Sequence, residues 1–448
     1  MMKKVVNDIM PETTKSPEEI MHQFSTKGVD EDWSFVGYKP SDTGKWTHDY
    51  HRYPAKFIPQ LVERLIDEYI SHKEAHINDP FMGCGTTIVT AISRGFKSSG
   101  TDINRIAHLI TKVKSTPIEP DYLNKKIEQL LSELKYLDGS LFNDKIEPII
   151  PQKHIDRINY WFTEENKNEL GRILRAIYDE DDQTIRNFFL VAFSHILKTC
   201  SIWLQRSTKP TRDLKKNPVK PYNALRRHLI KMRSGNDAFY KIAPAKVKEN
   251  LNEYLNIEIG DARNQPVFDE TVDLVVTSSP YVTSYEYADL HQLSTIWLDL
   301  ADELTKYKKE FIGTSYKRYE NKRLRSLLAL DILDNMSKKS KKMAKEIEAF
   351  FIDMEEVFDE SCRILKHGGR CCYVIGDTKL KGVDVLNAEV FAESLQYSGF
   401  RLDRIIKREI PSKILPQKRD EKTGRFANNH EANSEAYPME YIVIGLKE

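Results

Sequence analysis

Val272-Asp273-Leu274-Val275-Val276-Thr277-Ser278-Ser279-Pro280-Tyr281 decides the reading of the whole chain. A short apolar run bounded by a turn reads as a buried parallel strand. The polar-Pro-Tyr turn at its carboxyl end falls where open α/β sheets hold their ligands. Ser278 offers a hydroxyl acceptor, Pro280 fixes the turn and leaves the neighbouring Ser279 carbonyl as a second acceptor, and Tyr281 presents a flat ring on which a planar base can stack. Together these groups can hold an exocyclic amine. A Ser-Ser-Pro-Tyr turn can also simply end a strand, so its weight depends on the rest of the chain.

Upstream, His76-Ile77-Asn78-Asp79-Pro80-Phe81-Met82-Gly83-Cys84-Gly85-Thr86-Thr87 runs into the helical pattern Ile88 to Ile92. A strand, a glycine turn and a helix leave backbone N–H groups free and allow close approach of a ligand to the chain. About twenty residues further on, Ser98 to Asn104 reads as a second strand ending in Asp102, placed to accept from two ribose hydroxyls. Leu255 to Arg263 gives a third strand with a Gly260-Asp261 end. Arg370 to Asp377 is a fifth, after a helix Ala344 to Leu365 stopped by His367-Gly368-Gly369, and Phe400 to Ile410 and Glu440 to Leu446 close the sheet. Pro59 opens an amphipathic helix, Gln60 to Ile70, with Leu61, Leu65 and Ile66 on one face.

These motifs carry a resemblance. Ser278 to Tyr281 resembles the (Asp/Asn/Ser)-Pro-Pro-Tyr motif of the amino-methyltransferases that act on DNA, with Ser279 in place of the first proline. Asp79-Pro80-Phe81-x-Gly83-x-Gly85-Thr86-Thr87, with Asp102 at the next strand end, resembles their S-adenosylmethionine site. His51-Arg52-Tyr53-Pro54-Ala55-Lys56-Phe57 is similar to their cofactor-side segment before that loop. The resemblance implies cofactor contacts from Tyr53, Pro54, Phe57, Asp79, Pro80, Phe81, Gly83, Gly85, Thr86, Thr87, Asp102, Asn104, Asp261 and Ala262, with Asp261 accepting from the adenine amine. It implies catalysis at Ser278, Ser279, Pro280 and Tyr281, followed by an aromatic, acidic loop here containing Tyr285, Tyr287, Asp289 and His291. The serine form of the motif is associated with N4 of cytosine, the aspartate or asparagine form mostly with N6 of adenine. No cysteine here follows a proline, so the Pro-Cys nucleophile of C5-cytosine enzymes is absent.

Between the second and third strands lies a long stretch without such motifs, mostly helical in pattern. Phe188 to Trp203 reads as a core helix in which His195 is a satisfied structural histidine. After it, Arg206, Lys209, Arg212, Lys215, Lys216, Lys220, Arg226 and Arg227 face one acid, Asp213, with prolines interspersed. A proline-interrupted basic loop entering a basic helix fits either phosphate contacts or a solvated face. Lysines also cluster between 305 and 347, where flanking acids favour a solvated helical insert. The loop Pro411 to Pro438 is basic and is expected beside the active-site edge.

Composition sets the outer bounds. At 448 residues the chain can bury a large core, and 68 Lys+Arg against 67 Asp+Glu leave a formal charge of +1, which by itself implies no partner. Cys84, Cys200, Cys362, Cys371 and Cys372 have neither metal spacing nor a disulfide framework, which suits a reducing cytosol; Cys371 and Cys372 belong to the core on opposite strand faces. The N-terminus is too short and polar for a signal peptide, and no apolar run reaches about 18 residues, so a soluble, cytoplasmic protein is expected.

The expectation is therefore an α/β fold: a doubly wound, mostly parallel, seven-stranded methyltransferase sheet with a largely helical insert domain. Its parts are an N-terminal arm (1–35), loosely docked or mobile; a cofactor-binding half (36–115); a basic helical insert and candidate target-recognition region (116–250); and a catalytic half (251–448) with a further insert at 305–345. The expected partner is double-stranded DNA, with a cognate restriction endonuclease as a possible second. An N6-adenine enzyme, an RNA or protein-glutamine methyltransferase, and a non-catalytic nucleic-acid binder stay open as alternatives.

Overall fold

The computed structural model describes residues 14–53, 56–135, 147–207, 209–282, 287–314, 319, 322–410, 418–419, 434–435 and 439–448. Seven strands form the main sheet: β1 His76–Asp79, β2 Lys97–Asp102, β3 Leu255–Ile259, β4 Val272–Ser278, β5 Leu365–Ile375, β6 Phe400–Glu409 and β7 Met439–Lys447. Their order is β3-β2-β1-β4-β5-β7-β6. The first five are mutually parallel, and β7 runs antiparallel between β5 and β6. The order reverses between β1 and β4, which opens a crevice at the carboxyl ends of those strands. Because β7 is antiparallel, its first residues lie on that same rim.

Burial on both faces explains why β4 reads as an unbroken apolar run. Leu274 and Val276 enter one core cluster and Val275 the other. Cys371 and Cys372 divide between the same two clusters, as their adjacent strand positions require.

The insert folds around the helices Pro120–Lys135, Glu164–Tyr178, Gln183–Cys200 and Pro221–Ile242. Their apolar faces share one cluster with residues of the helices Arg105–Ser115 and Gln292–Trp297, so the insert is continuous with the catalytic layer. Asp182 caps the third of these helices by accepting from the N–H groups of Thr184 and Ile185. The helix ends at Cys200 rather than Trp203, and Trp203 stacks on Trp161 at 5.0 Å.

Three expectations need correction. Residues 14–35 are not a loose arm: Ser16 and Glu19 form a capping box for the helix Pro17–Ser25, whose Ile20 and Phe24 are buried, and Trp33 is fully buried. The helix before β5 is Lys341–Ile364, and Gly368-Gly369 lies within β5, with a register irregularity against β4, rather than stopping the helix. The 305–347 stretch is not simply solvated, since the helix Leu327–Lys339 buries Ala329, Ile332 and Met336 in the core. In the Pro411–Pro438 loop only 418–419 and 434–435 are described, as an antiparallel two-residue pairing; the rest lies outside the described residues.

Candidate active site

The glycine loop leaves β1 and turns into the helix Thr86–Ser93. Gly83 and Gly85 have positive φ, +48° and +76°, which suits glycine. A Cβ on Gly85 would stand 2.7 Å from the Thr111 side chain, and one on Gly83 would stand 3.2 Å from the Tyr53 ring. The missing side chains thus keep a cradle open beneath Tyr53. At the end of β2, Asp102 accepts from the backbone N–H of Gly83 at 2.9 Å and of Asn104 at 2.8 Å. Burial pushes its carboxyl up to about 6 against the pull of those two N–H groups.

Asp79 sits under the loop. Its Oδ1 accepts from the Thr277 hydroxyl at 2.6 Å and the Phe81 N–H at 3.1 Å, while its buried Oδ2 has no hydrogen-bond partner among the described residues. Burial raises this carboxyl to about 7. Thr87 donates to the Val276 carbonyl at 3.0 Å, a second tie from the cofactor loop to β4. Lys114, unsuspected from sequence, is fully buried with its Nζ donating to the Cys84 carbonyl at 2.6 Å; burial lowers it to about 8.

At the turn after β4, the Ser279 hydroxyl donates to the Val374 carbonyl at 3.4 Å and is buried. The serine that replaces the motif's first proline therefore points toward β5. Ser278 and Pro280 face the cavity. Tyr281 is half-buried and its hydroxyl donates to Glu440 at 3.0 Å.

One pocket, about 790 Å³ with its open mouth, brings together Tyr53, Phe57, Pro80, Phe81, Gly83, Thr86, Asp102, Asp261, Ala262, Ser278 and Pro280. Asp79, Gly85, Thr87, Ser279 and Tyr281 flank or support it without lining it. Asn104 is a helix cap instead, accepting from Ile106 N–H at 3.3 Å and from the Tyr307 hydroxyl at 3.2 Å. Asp261 is held in a fork by Arg263, whose Nε contacts both of its oxygens and whose Nη2 stands at 2.5 Å, and its side chain borders the pocket. Pro54 lies outside the described residues. Lys56, Ile103 and the wall Glu310-Phe311-Ile312 also line the pocket. Phe311-Ile312 was the legible signal for that wall, an apolar pair inside a lysine-rich stretch.

The pocket suits S-adenosylmethionine by its donor set. Asp102 can accept from ribose hydroxyls, backbone approach is open at Gly83, and the aromatic and apolar rings of Tyr53, Phe57 and Phe81 complete the walls.

Three buried histidines and the half-buried His195 connect this pocket to the insert. His291 stacks on Tyr53 at 4.9 Å, His51 meets His195 edge-on at 5.5 Å, and His195 stacks on His228 at 3.7 Å. His51 shares the Ser194 hydroxyl, which contacts the Ser294 hydroxyl at 2.7 Å. His195, expected to be a satisfied structural histidine, stacks on His228, but its Nδ1 has no hydrogen-bond partner among the described residues, and burial drives its pKa down. Of the loop after Tyr281, Tyr285 and the side chain of Tyr287 lie outside the description; Asp289 pairs with Lys308 at 2.6 Å.

Of the basic residues, Arg206, Lys209, Arg212, Lys215, Lys220, Arg226 and Arg227 are exposed. Arg212 covers the Tyr160 ring at 4.3 Å, and Lys220 lies 3.4 Å from exposed Glu165. Lys216 differs: its Nζ donates to the carbonyls of Lys198 at 2.8 Å and Trp203 at 2.7 Å, closing a helix end. A phosphate role for Lys216 is corrected to a structural one. Lys198 is lowered to about 8 by burial, then by Arg52 and Lys216, so the basic loop adjoins the segment that carries Tyr53.

A parallel sheet in this order, a glycine cradle and an acid at the end of β2 define an α/β protein of the Rossmann-like methyltransferase class. A family profile described as DNA methylase matches residues 3–112, the cofactor-side half. Type II methyltransferase M.MvaI of Kocuria varians is 27% identical over 431 residues, covering 90% of this chain and 92% of the relative. M.BsoBI of Geobacillus stearothermophilus is 22% identical, covering 79% of both chains. M.MjaII of Methanocaldococcus jannaschii is 28% identical, covering 53% of this chain and 40% of that one. The chain is thus similar to type II DNA methyltransferases over most of its length, and its first quarter matches a DNA methylase profile.

Proposed function

We propose that the chain transfers a methyl group from S-adenosylmethionine to the exocyclic N4 of a cytosine flipped out of duplex DNA. The carrying observation is that Ser278, at the carboxyl end of β4, lines the same pocket as Asp102 and Gly83. When bound, the cofactor supplies an electrophilic methyl on a sulfonium. Tyr53, Phe57 and Phe81 form walls against it, Asp102 accepts its hydroxyls, and Asp261 accepts its adenine amine.

The amine lone pair of cytosine is delocalised into the ring. Ser278 and the Ser279 carbonyl would accept hydrogen bonds from the amine, turning the nitrogen toward a tetrahedral form as it attacks; the methyl–sulfur bond would break with its electron pair on sulfur, and the methylated nitrogen would then release one hydrogen as a proton to solvent. Tyr281 stacks on the extruded base, whose unstacking costs a few kcal/mol. Positioning supplies most of the rate. The exposed arginines and lysines of the 116–250 insert, beginning at Arg206, contact phosphates, and this insert is the target-recognition region in our reading. The names of the relatives support a modification enzyme. A cognate restriction endonuclease is the partner we propose, and the cytoplasm the compartment.

The test is incubation of the full chain with labelled S-adenosylmethionine and mixed-sequence duplex DNA, then digestion to nucleosides and mass identification. N4-methylcytosine is expected. N6-methyladenine would overturn the base assignment, and cofactor binding without any label in DNA would overturn the reading of DNA as the substrate.

A further inference from the structure

The Tyr281 ring does not hang free at the rim of the sheet. Its hydroxyl crosses β5 and donates to Glu440 Oε1 at 3.0 Å. Glu440 is the second residue of β7 and pairs in register with Arg408 of β6. Its other oxygen, Oε2, stands 3.3 Å from Arg408 Nη1. Both are buried, at 7% and 3% exposure. The Nε and Nη1 groups of Arg408 make no hydrogen bond among the described residues, and its guanidinium lies 5.7 Å from the Phe35 ring. A buried guanidinium in that state is balanced by the charge of Glu440. The carboxyl group turns one oxygen to the arginine and the other to the tyrosine.

We propose that Glu440, backed by Arg408, is a positioning residue that fixes the direction of the Tyr281 ring axis for stacking on the target base. This rests on the reading of Tyr281 as the stacking ring. A tyrosine side chain has two torsions. A tether at the para hydroxyl, which lies on the Cβ–Cγ axis, fixes the direction of that axis and so the first torsion; it acts on the second only through the preference of the phenol O–H for the ring plane, whereas packing along the ring edge alone leaves the axis to swing. The Arg408–Glu440 pair is built into paired strands, so the tether is anchored to the sheet and not to a loop. The same strand pairing carries the effect to the catalytic turn: β4 pairs with β5 through Ser278 and Val374, and β5 pairs with β7 through Ile375 and Tyr441. A ring preset in this way stacks without first being ordered, so the benefit falls on turnover of bound DNA more than on capture of DNA.

The experiment compares Tyr281→Phe, Glu440→Gln, their double variant and Tyr281→Ala in the full chain. It reads label transfer to mixed-sequence duplex DNA as kcat and KM, together with cofactor affinity and thermal midpoint. Tyr281→Phe keeps the ring and removes the hydroxyl that makes the tether. Its kcat should fall between roughly tenfold and a hundredfold, as expected for a lost hydrogen bond to a charged group, with KM for DNA, cofactor affinity and thermal midpoint close to those of the parent. The double variant should be no slower than the slower single variant by more than about threefold, because both remove one interaction. Additive losses would overturn the tether, since they would give Glu440 a separate structural role. Parental kcat in Tyr281→Phe alongside an inactive Tyr281→Ala would also overturn it, while leaving the stacking role standing. Parental kcat in Tyr281→Ala would remove the stacking reading itself.

Discussion

Thr277 donates its hydroxyl proton to Asp79 at 2.6 Å, joining the carboxyl end of β4 to that of β1. The strand that bears the catalytic turn and the strand that bears the cofactor loop are thus tied at their tips by one buried bond. Thr277→Val keeps shape and volume but withdraws the donor. Asp79 then keeps the Phe81 N–H but loses its shortest hydrogen bond, and unfolding in denaturant should show a loss of about 1–3 kcal/mol. The hydroxyl favours the ionised carboxylate, so the loss should be larger above neutrality than in acid. Equal losses at both ends would assign the effect to packing.

A second expectation concerns Asp79 itself. Its carboxyl is raised to about 7 by burial, so between the unfolded value of 3.8 and about 7 the folded chain holds a proton that the unfolded chain has released. The contribution is fully present below 3.8 and is lost as pH rises through about 7. Asp79→Asn removes the titration and should flatten the stability profile over that window, while raising stability above neutrality. Denaturation midpoints measured across the window check it. An unchanged slope in Asp79→Asn would place the titration elsewhere.

Asp102 gives the third. Its carboxyl stands at about 6, and accepting ribose hydroxyls requires the ionised form. Cofactor affinity should be level above that value and fall toward about tenfold per pH unit below it. Calorimetric titration with S-adenosylmethionine from about pH 5 to about pH 8 reads this directly, and Asp102→Asn should bind weakly with the acid-side slope gone. A slope that survives in Asp102→Asn would belong to another group.

Much of this site was legible because its residues act through the backbone or through strand ends. Gly83 and Gly85 announce positive φ, Asp102 falls at the end of β2, and Val272 to Val276 carries the apolar run of a strand covered on both faces. What was not legible depends on contacts distant in sequence. Nothing local to Lys216 distinguishes it from Lys215, since its carbonyl partners belong to a helix end that only tertiary packing brings near. Glu440 and Lys114 were hidden for the same reason, each pairing across a long separation in the chain. The docked N-terminal helix is another matter: Ser16 to Glu19 is a local capping box followed by Ile20 and Phe24 four apart, a signal present in sequence and outweighed by the polarity around it.

Lys216 and its neighbours supply the last prediction. Arg206, Lys209, Arg212 and Lys215 are exposed, while Lys216 spends its ammonium on the carbonyl of Lys198, in the last turn of the helix Gln183–Cys200, and on that of Trp203 just beyond it. If the loop binds DNA phosphates, each exposed cation removed should weaken binding to duplexes of any sequence and reduce the slope of log affinity against log salt by about 0.9. Replacing all four by alanine should leave the thermal midpoint near that of the parent, because exposed charges contribute little to stability. Lys216→Ala should do the reverse, lowering the midpoint through two unsatisfied carbonyls and leaving the salt slope nearly unchanged. Fluorescence anisotropy with a labelled mixed-sequence duplex over a salt series, paired with thermal melts, separates the two. A salt slope unmoved by the fourfold replacement would make this loop a solvated face, and the phosphate contacts would then have to be sought on another surface of the chain.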